Sequence, residues 1–253
     1  MKKIAEIREE FAHASEAELT RLFAQYEMDE RAGVRAVIAS CHKKLEKLEK
    51  ERERLETMRI YEHQYEQTGL VCGVDEAGRG PLAGPVVAGA VILPVNCEIL
   101  YLNDSKQLSE KRREELYDEI REKAVACGVG IVGPERIDEI NILQATYEAM
   151  REAIAALNPQ PDVLLNDAVR IPGIALRQVP IIGGDAKSLS IAAASVLAKV
   201  TRDRMMREYD REMPEYGFAA HKGYGSAAHF EAIRKYGLSP IHRRSFLKKM
   251  EEL

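Results

Sequence analysis

Nowhere in these 253 residues do two cysteines stand close together. Cys41, Cys72, Cys97 and Cys127 are scattered along the chain, which excludes a disulfide framework and a zinc-ligand cluster and suits a reducing compartment. Long apolar runs are missing too. The opening MKKIAEIREEF has no apolar core of signal-peptide length, and no later stretch approaches the length of a bilayer span. A cytoplasmic protein that does not engage the membrane is therefore expected. The GxxxxGKS pattern of a nucleotide-phosphate loop is absent, which removes an ATPase reading. Internal repeats and low-complexity tracts are absent as well. Neither charge dominates, the net value being −4.

What is present supports one sizeable core, since 45% of residues are hydrophobic, with room for a small second domain. Charge is unevenly placed. Residues 199–249 hold 12 Lys and Arg against 6 Asp and Glu, whereas residues 71–198 hold 12 against 18. An acidic, metal-binding centre beside a phosphate-binding surface would give this asymmetry, and so would solvated helical faces.

Residues 1–69 read as a small all-helical extension. Ser15 and Glu18 form a capping box ahead of a helix over 19–26. A long helix is expected from about Asp29, with Val34, Ile38, Cys41, Leu45, Leu48 and Leu55 on one seam and Glu46–Lys50 as an exposed ion pair. So short a seam suits packing within one chain, and a monomer is expected. At Leu70 the texture changes to β-branched runs bounded by glycine and proline. LVCGVDEAG and PVVAGAVILP predict a hairpin, VGIVG a third strand, PDVLLND a fourth and VPIIGGD a fifth. Helices are expected over 109–126, 137–157 and 188–213, with shorter ones after Ser226. Strands first, then strands alternating with helices, indicate an α/β domain over 70–253 with a mixed five-stranded sheet flanked by helices.

Several of these strands end in acids. Asp75 and Glu76 stop the apolar run of Leu70, Val71 and Val74, Asp167 stops Val163–Asn166, and Asp185 follows Ile181, Ile182 and two glycines. A carboxylate beside a core is costly unless it is hydrogen-bonded or bound to a cation. Strand ends of this kind can converge on a hard divalent ion, which takes oxygen ligands. One such acid is ordinarily a cap or an ion-pair partner, and Asp185, two residues before Lys187, has a second reading as the cap of the next helix. Consecutive strand residues face opposite ways, so Asp75 and Glu76 reach one ion only if the strand breaks nearby, with Ala77-Gly78 the place for it. Gly78-Arg79-Gly80 then offers a backbone that a ligand can approach closely. Tyr224, set between glycines in HKGYG, reads either as packing or as a nucleotide-stacking ring in basic surroundings.

The string VCGVDEAGRGPLAGPVVAGAVIL resembles the opening strand pair of bacterial ribonuclease HII. NDSKQLSEKRREELYDEI, DEINILQAT, DVLLNDA, GGDAKSLSIAAASVLAKVTRDR, YGFAAHKGYGS and IHRRSF are similar to further stretches of that family in the same order, so the likeness spans nearly all of 70–247. The helical extension resembles that of some Bacillus-type members. Ribonuclease HIII, expected to lack the arginine of Gly-Arg-Gly, is less similar.

The resemblance implies a ribonuclease H-like fold. It also implies that Asp75, Glu76, Asp167 and Asp185 form a catalytic carboxylate set for Mn2+ or Mg2+. By the same likeness Gly78, Arg79 and Gly80 contact a ribonucleotide 2′-hydroxyl, Tyr224 stacks on the adjoining sugar, and Lys106 is a candidate phosphate contact. Asn166 departs from the family pattern, standing where an apolar strand residue is usual. The expected substrates are RNA–DNA hybrids and duplex DNA carrying a single ribonucleotide, cut on its 5′ side to leave 3′-hydroxyl and 5′-phosphate ends. Hydrolysis of this kind uses two ions about 4 Å apart. Two rival readings predict different behaviour. A resolvase or transposase with a similar sheet would cut an all-DNA junction. A non-catalytic binding module would bind in a salt-dependent manner and give no product with any divalent ion.

Overall fold

Extended, largely apolar runs satisfy their backbone groups by pairing with one another, and five of them do so in a single sheet of order β3-β2-β1-β4-β5. The computed structural model describes residues 2–247; Lys248 and Lys249 of the basic stretch, and the rest of the tail of the expected 70–253 domain, lie outside the described residues. The chain forms two compact units, residues 1–54 and 55–253.

In the first unit, α1 (Ile4–His13) and α2 (Glu16–Tyr26) pack on the early turns of α3 (Ala32–Met58). Ile7, Phe11, Leu19, Tyr26, Val34, Val37 and Cys41 are its core. The capping box forms, with the Ser15 amide donating to Glu18 Oε2 at 2.8 Å. The long helix starts at Ala32, later than the expected Asp29. Asp29 Oδ1 accepts from the Arg31 amide at 3.1 Å and from its guanidinium at 2.9 Å, a local arrangement that competes with helix.

The second unit begins with the last turn of α3, whose Leu55 and Met58 are buried with Ile99, Leu116 and Leu197. The change of texture at Leu70 comes just before the first strand, within the second compact unit. After α4 (Ile60–Tyr65) come β1 (Val71–Ala77), β2 (Val86–Ile92), α5 (Glu110–Lys123), β3 (Ala126–Val132), α6 (Pro134–Ile140), α7 (Ile142–Ala155), β4 (Val163–Asp167), β5 (Arg177–Ile181), α8 (Leu189–Glu212), α9 (Phe218–His221), α10 (Ala227–Tyr236) and α11 (Arg244–Leu247). β1, β2 and β3 pair antiparallel, while β1–β4 and β4–β5 are parallel. The expected α/β class and mixed sheet are what form.

Two sequence-based helices need correction. The helix expected over 109–126 stops at Lys123, because Ala126 already pairs with Ile92 in the sheet. The helix expected over 137–157 is two helices. Asn141 breaks it at φ +68° and caps α7, accepting from the Leu143 and Gln144 amides at 3.0 and 3.2 Å. Asparagine tolerates left-handed backbone because its short polar side chain bonds locally.

The sheet lies between helices. Cys72, Val74, Ala88 and Ala90 meet Ala149, Met150 and Ala153 of α7 on one face. On the other, Gly73 and Gly89 let the backbone of α8 come within a side chain's width of β1 and β2. The start of α8 is held by Glu62, whose Oε1 accepts from Ser188 Oγ at 2.6 Å, the Ser190 amide at 2.9 Å and Ser190 Oγ at 2.6 Å. On β3, a methyl group at Gly130 would collide with the Ala149 carbonyl of α7. Gly130→Ala should therefore push α7 off the sheet and cost about 1–3 kcal/mol, read as a lower urea midpoint at unchanged slope.

Candidate active site

Because β1 and β4 run parallel, their ends reach the same level. The last paired residues are Val74 and Asn166, and the next on each strand are Asp75 and Asp167. β1 continues through both of its acids, Asp75 opposite Gly89 and Glu76 opposite Ala88, and ends at Ala77. The two acids therefore keep strand alternation, Asp75 toward α8 and Glu76 toward the other face. Gly78, at φ +93°, turns the chain away.

Asp185 sits in a single 3-10 turn, Gly184–Ala186, just after β5. The turn is tied to Asp167, whose Oδ1 accepts from the Gly184 amide at 2.7 Å. Ser188 caps α8, its Oγ accepting from the Ile191 amide at 3.2 Å, so the capping alternative for Asp185 falls away.

These carboxylates lie in one another's field. Asp75 is 4% exposed, and burial, then the charges of Glu76 and Asp167, hold its carboxyl well above the ordinary range against a bond from Ser195. Burial raises Glu76, with Asp167 adding to the shift and the Arg79 guanidinium, 3.1 Å from Glu76 Oε1, opposing it. Burial, Asp104 and Asp167 raise Asp185, opposed by Lys106 Nζ at 3.5 Å from Oδ2. For Lys106 itself burial works against the charge, but Asp104, Asp185 and Asp75 outweigh it and raise its pKa. Among the described residues, no three acidic, histidine or cysteine side chains form a ready-made ion cage. Like charges keep apart, and Arg79 and Lys106 each draw one carboxylate to themselves.

The Gly78–Gly80 loop lies beside Tyr224. A Cβ on Gly80 would stand 3.7 Å from Tyr224 Cε1, and that ring is 48% exposed. Two arginines that the sequence gives no reason to single out hold this loop. Arg243, fully buried, donates to the carbonyls of Gly78 at 2.6 Å, Arg79 at 3.0 Å and Gly84 at 2.9 Å. Arg202 donates to Ala83 and Lys222 at 3.0 Å and to Pro85 at 2.9 Å. Only their place in the IHRRSF and VTRDR motifs sets them apart from other basic residues. Asp104, close enough to act on Asp185 and Lys106, likewise carries no signal of its own in the sequence. Asn166, the departure from pattern, leaves β4 regular and donates from Nδ2 to Gln178 Oε1 at 3.0 Å.

A family model described as Ribonuclease HII matches residues 72–249, and one described as Ribonuclease HII N-terminal domain matches residues 3–66. The chain belongs to the ribonuclease HII family. The ribonuclease HII of Lachnoclostridium phytofermentans is 57% identical over 98% of this chain and 98% of its own length. That of Clostridioides difficile is 56% identical over 88% of each. The crystal structure of the ribonuclease H2 from Pyrococcus horikoshii OT3 is similar at TM-score 0.61 and 32% identity, covering 72% of this chain and 97% of that one. As a ribonuclease HII family member the chain is an endoribonuclease. No helix among the described residues is long and apolar enough to cross a membrane.

The raised carboxyls carry a stability consequence. A group whose folded pKa lies above its unfolded value stabilises the fold below the unfolded value, and that contribution is lost as pH rises through the folded one. In the absence of divalent ions the protein should accordingly lose stability, as far as these groups decide it, as pH rises above about 4 through the raised values of Asp75, Glu76 and Asp185. Asp75→Asn should relieve part of this and stabilise the ion-free protein by about 1–3 kcal/mol at pH 7, seen as a higher Tm in EDTA. A lower Tm would show that the charge is compensated by partners other than those described.

Proposed function

We propose that this chain cleaves the RNA strand of RNA–DNA hybrids and cuts duplex DNA on the 5′ side of a single embedded ribonucleotide, leaving 3′-hydroxyl and 5′-phosphate ends. The observation that carries the reading is the neighbourhood of strand-end carboxylates and a glycine loop with an exposed tyrosine. The first kind of group suits phosphodiester hydrolysis, and the second suits contact with a sugar.

The donor set fits Mn2+ or Mg2+, since every candidate ligand is a carboxylate oxygen and three of the four carboxyls are held above their usual range by burial and one another. Asp75, Glu76, Asp167 and Asp185 would hold the ions. When bound, a pair of such ions supplies Lewis-acid stabilisation to the attacking and leaving oxygens of an in-line displacement.

The chain's own residues do the rest. In this reading Gly78 and Gly80 contact the 2′-hydroxyl, the group that distinguishes RNA from DNA, through the backbone, Gly78 from a buried position against Arg202 and Gly80 from an exposed one, and Arg79 adds a charged donor beside it. Tyr224 stacks on the adjoining sugar. Lys106, with its side chain 77% exposed, meets a phosphate. The 2′-hydroxyl is read by these contacts and is not the nucleophile. A monomer acting in the cytoplasm completes the reading.

Asp75→Asn should abolish cleavage of a DNA duplex carrying one ribonucleotide, with Mg2+ or Mn2+ present, while duplex affinity changes less than about threefold. Full activity in that variant would overturn the assignment. Tyr224→Ala should lower kcat/KM on the same substrate by about tenfold or more.

A further inference from the structure

Around Tyr224 lies a buried group of histidines that the proposed chemistry does not use. His229 and His242 are 0% and 3% exposed, and their Nε2 atoms are 3.0 Å apart. The backbone determines where their protons sit. Ser239 meets His242 Nδ1 twice, with its amide at 2.9 Å and its Oγ at 2.7 Å; the amide can only donate, so Nδ1 accepts and the His242 proton is on Nε2. That Nε2–H points at His229 Nε2, which must accept. The His229 proton is then on Nδ1, 2.9 Å from the Tyr224 carbonyl, which can only accept. Each member has one tautomer that satisfies both neighbours, and the direction runs from Ser239 through His242 and His229 to Tyr224.

Packing holds the rings in place. His221 stacks on His229 at 4.3 Å between centroids, and Phe218 meets His229 edge-on at 5.6 Å and His242 at 5.8 Å. An extra proton on either imidazole would set two N–H groups against each other. Burial, then the neighbouring imidazole, push His242 down to about 4, and burial lowers His229. The relay therefore stays neutral at physiological pH.

We propose that His229 and His242 are positioning residues for Tyr224, fixing through its carbonyl the peptide plane from which the ring projects. The proposal rests on the reading of Tyr224 as a sugar contact. It gives the segment 239–243 two tasks. His242 reaches Tyr224 through His229, and the adjacent Arg243 holds the carbonyls of Gly78 and Arg79. One short segment thus fixes the spacing between the two sides of the sugar-sensing surface.

The test uses the full chain, Mg2+ and a DNA duplex with one ribonucleotide. His229→Leu should lower kcat/KM about tenfold, and His229→Asn, which can present an amide N–H near the position of Nδ1, should recover most of it. In a Tyr224→Ala background, His229→Leu should cost less than about twofold more, because both changes remove one interaction. Losses that multiply, or an Asn variant no better than Leu, would overturn the proposal. Normal cleavage by His229→Leu beside an impaired Tyr224→Ala overturns it alone; normal cleavage by Tyr224→Ala overturns the sugar-contact reading with it. Should His229→Leu fail to fold, the 15N shifts of the wild-type imidazoles at pH 7 decide. They should report Nδ1–H for His229 and Nε2–H for His242, and any other pattern refutes the relay.

Discussion

Mutual repulsion among carboxylates that the fold holds within one another's field is the constraint around which the end of the sheet is arranged. Parallel pairing of β1 with β4 sets Asp75 and Asp167 side by side at the sheet's end, and the Gly184 amide ties the turn carrying Asp185 to Asp167. Nothing in local propensity favours that crowding. It persists because the sheet register and the core on both faces over-determine the backbone beneath it. Arg79, paired with Glu76, and Lys106, paired with Asp185, offset part of the charge. Such a centre has a standing preference for added positive charge, which is the electrostatic condition for binding divalent ions.

Asp75, Glu76 and Asp167 stand out in the sequence because they close apolar runs, a signal that survives without any knowledge of pairing, whereas Asp185 lies in a turn beyond β5 and carries a weaker one. The sheet was legible for the same reason, since its strands are short β-branched runs between glycines and prolines. Boundaries were less so. Whether Asn141 continues a helix or breaks one depends on its backbone sign, which composition does not carry. The start of the long helix depended on Asp29 choosing the Arg31 amide over solvent. At the site, Gly80 and Tyr224 are far apart in sequence, and only the fold makes them neighbours.

Charge counting was the weakest guide. The basic excess of residues 199–249 suggests a phosphate-facing surface, yet much of it is spent internally. Arg202 and Arg243 are buried and saturated by backbone carbonyls. Arg204 and Arg207 pair with Glu114, and Lys199 pairs with Asp203 at 2.7 Å. An arginine inside a fold and one on a nucleic-acid surface look identical in a sequence. The guanidinium's fork of donors makes it the residue suited to gather several carbonyls of a tight loop, and here that use competes with the electrostatic one.

Glu62 has a bearing on how this fold can be divided. It belongs to the helical lead-in, yet a single oxygen of its carboxylate serves both serines that open α8. A polypeptide started at the first strand would keep every strand and every strand-end acid but leave the Ser190 amide and both hydroxyls without this acceptor. Ser195, which steadies Asp75, sits on the second turn of the same helix. The lead-in is thus a keystone of the second unit, tied through α8 to the surroundings of Asp75.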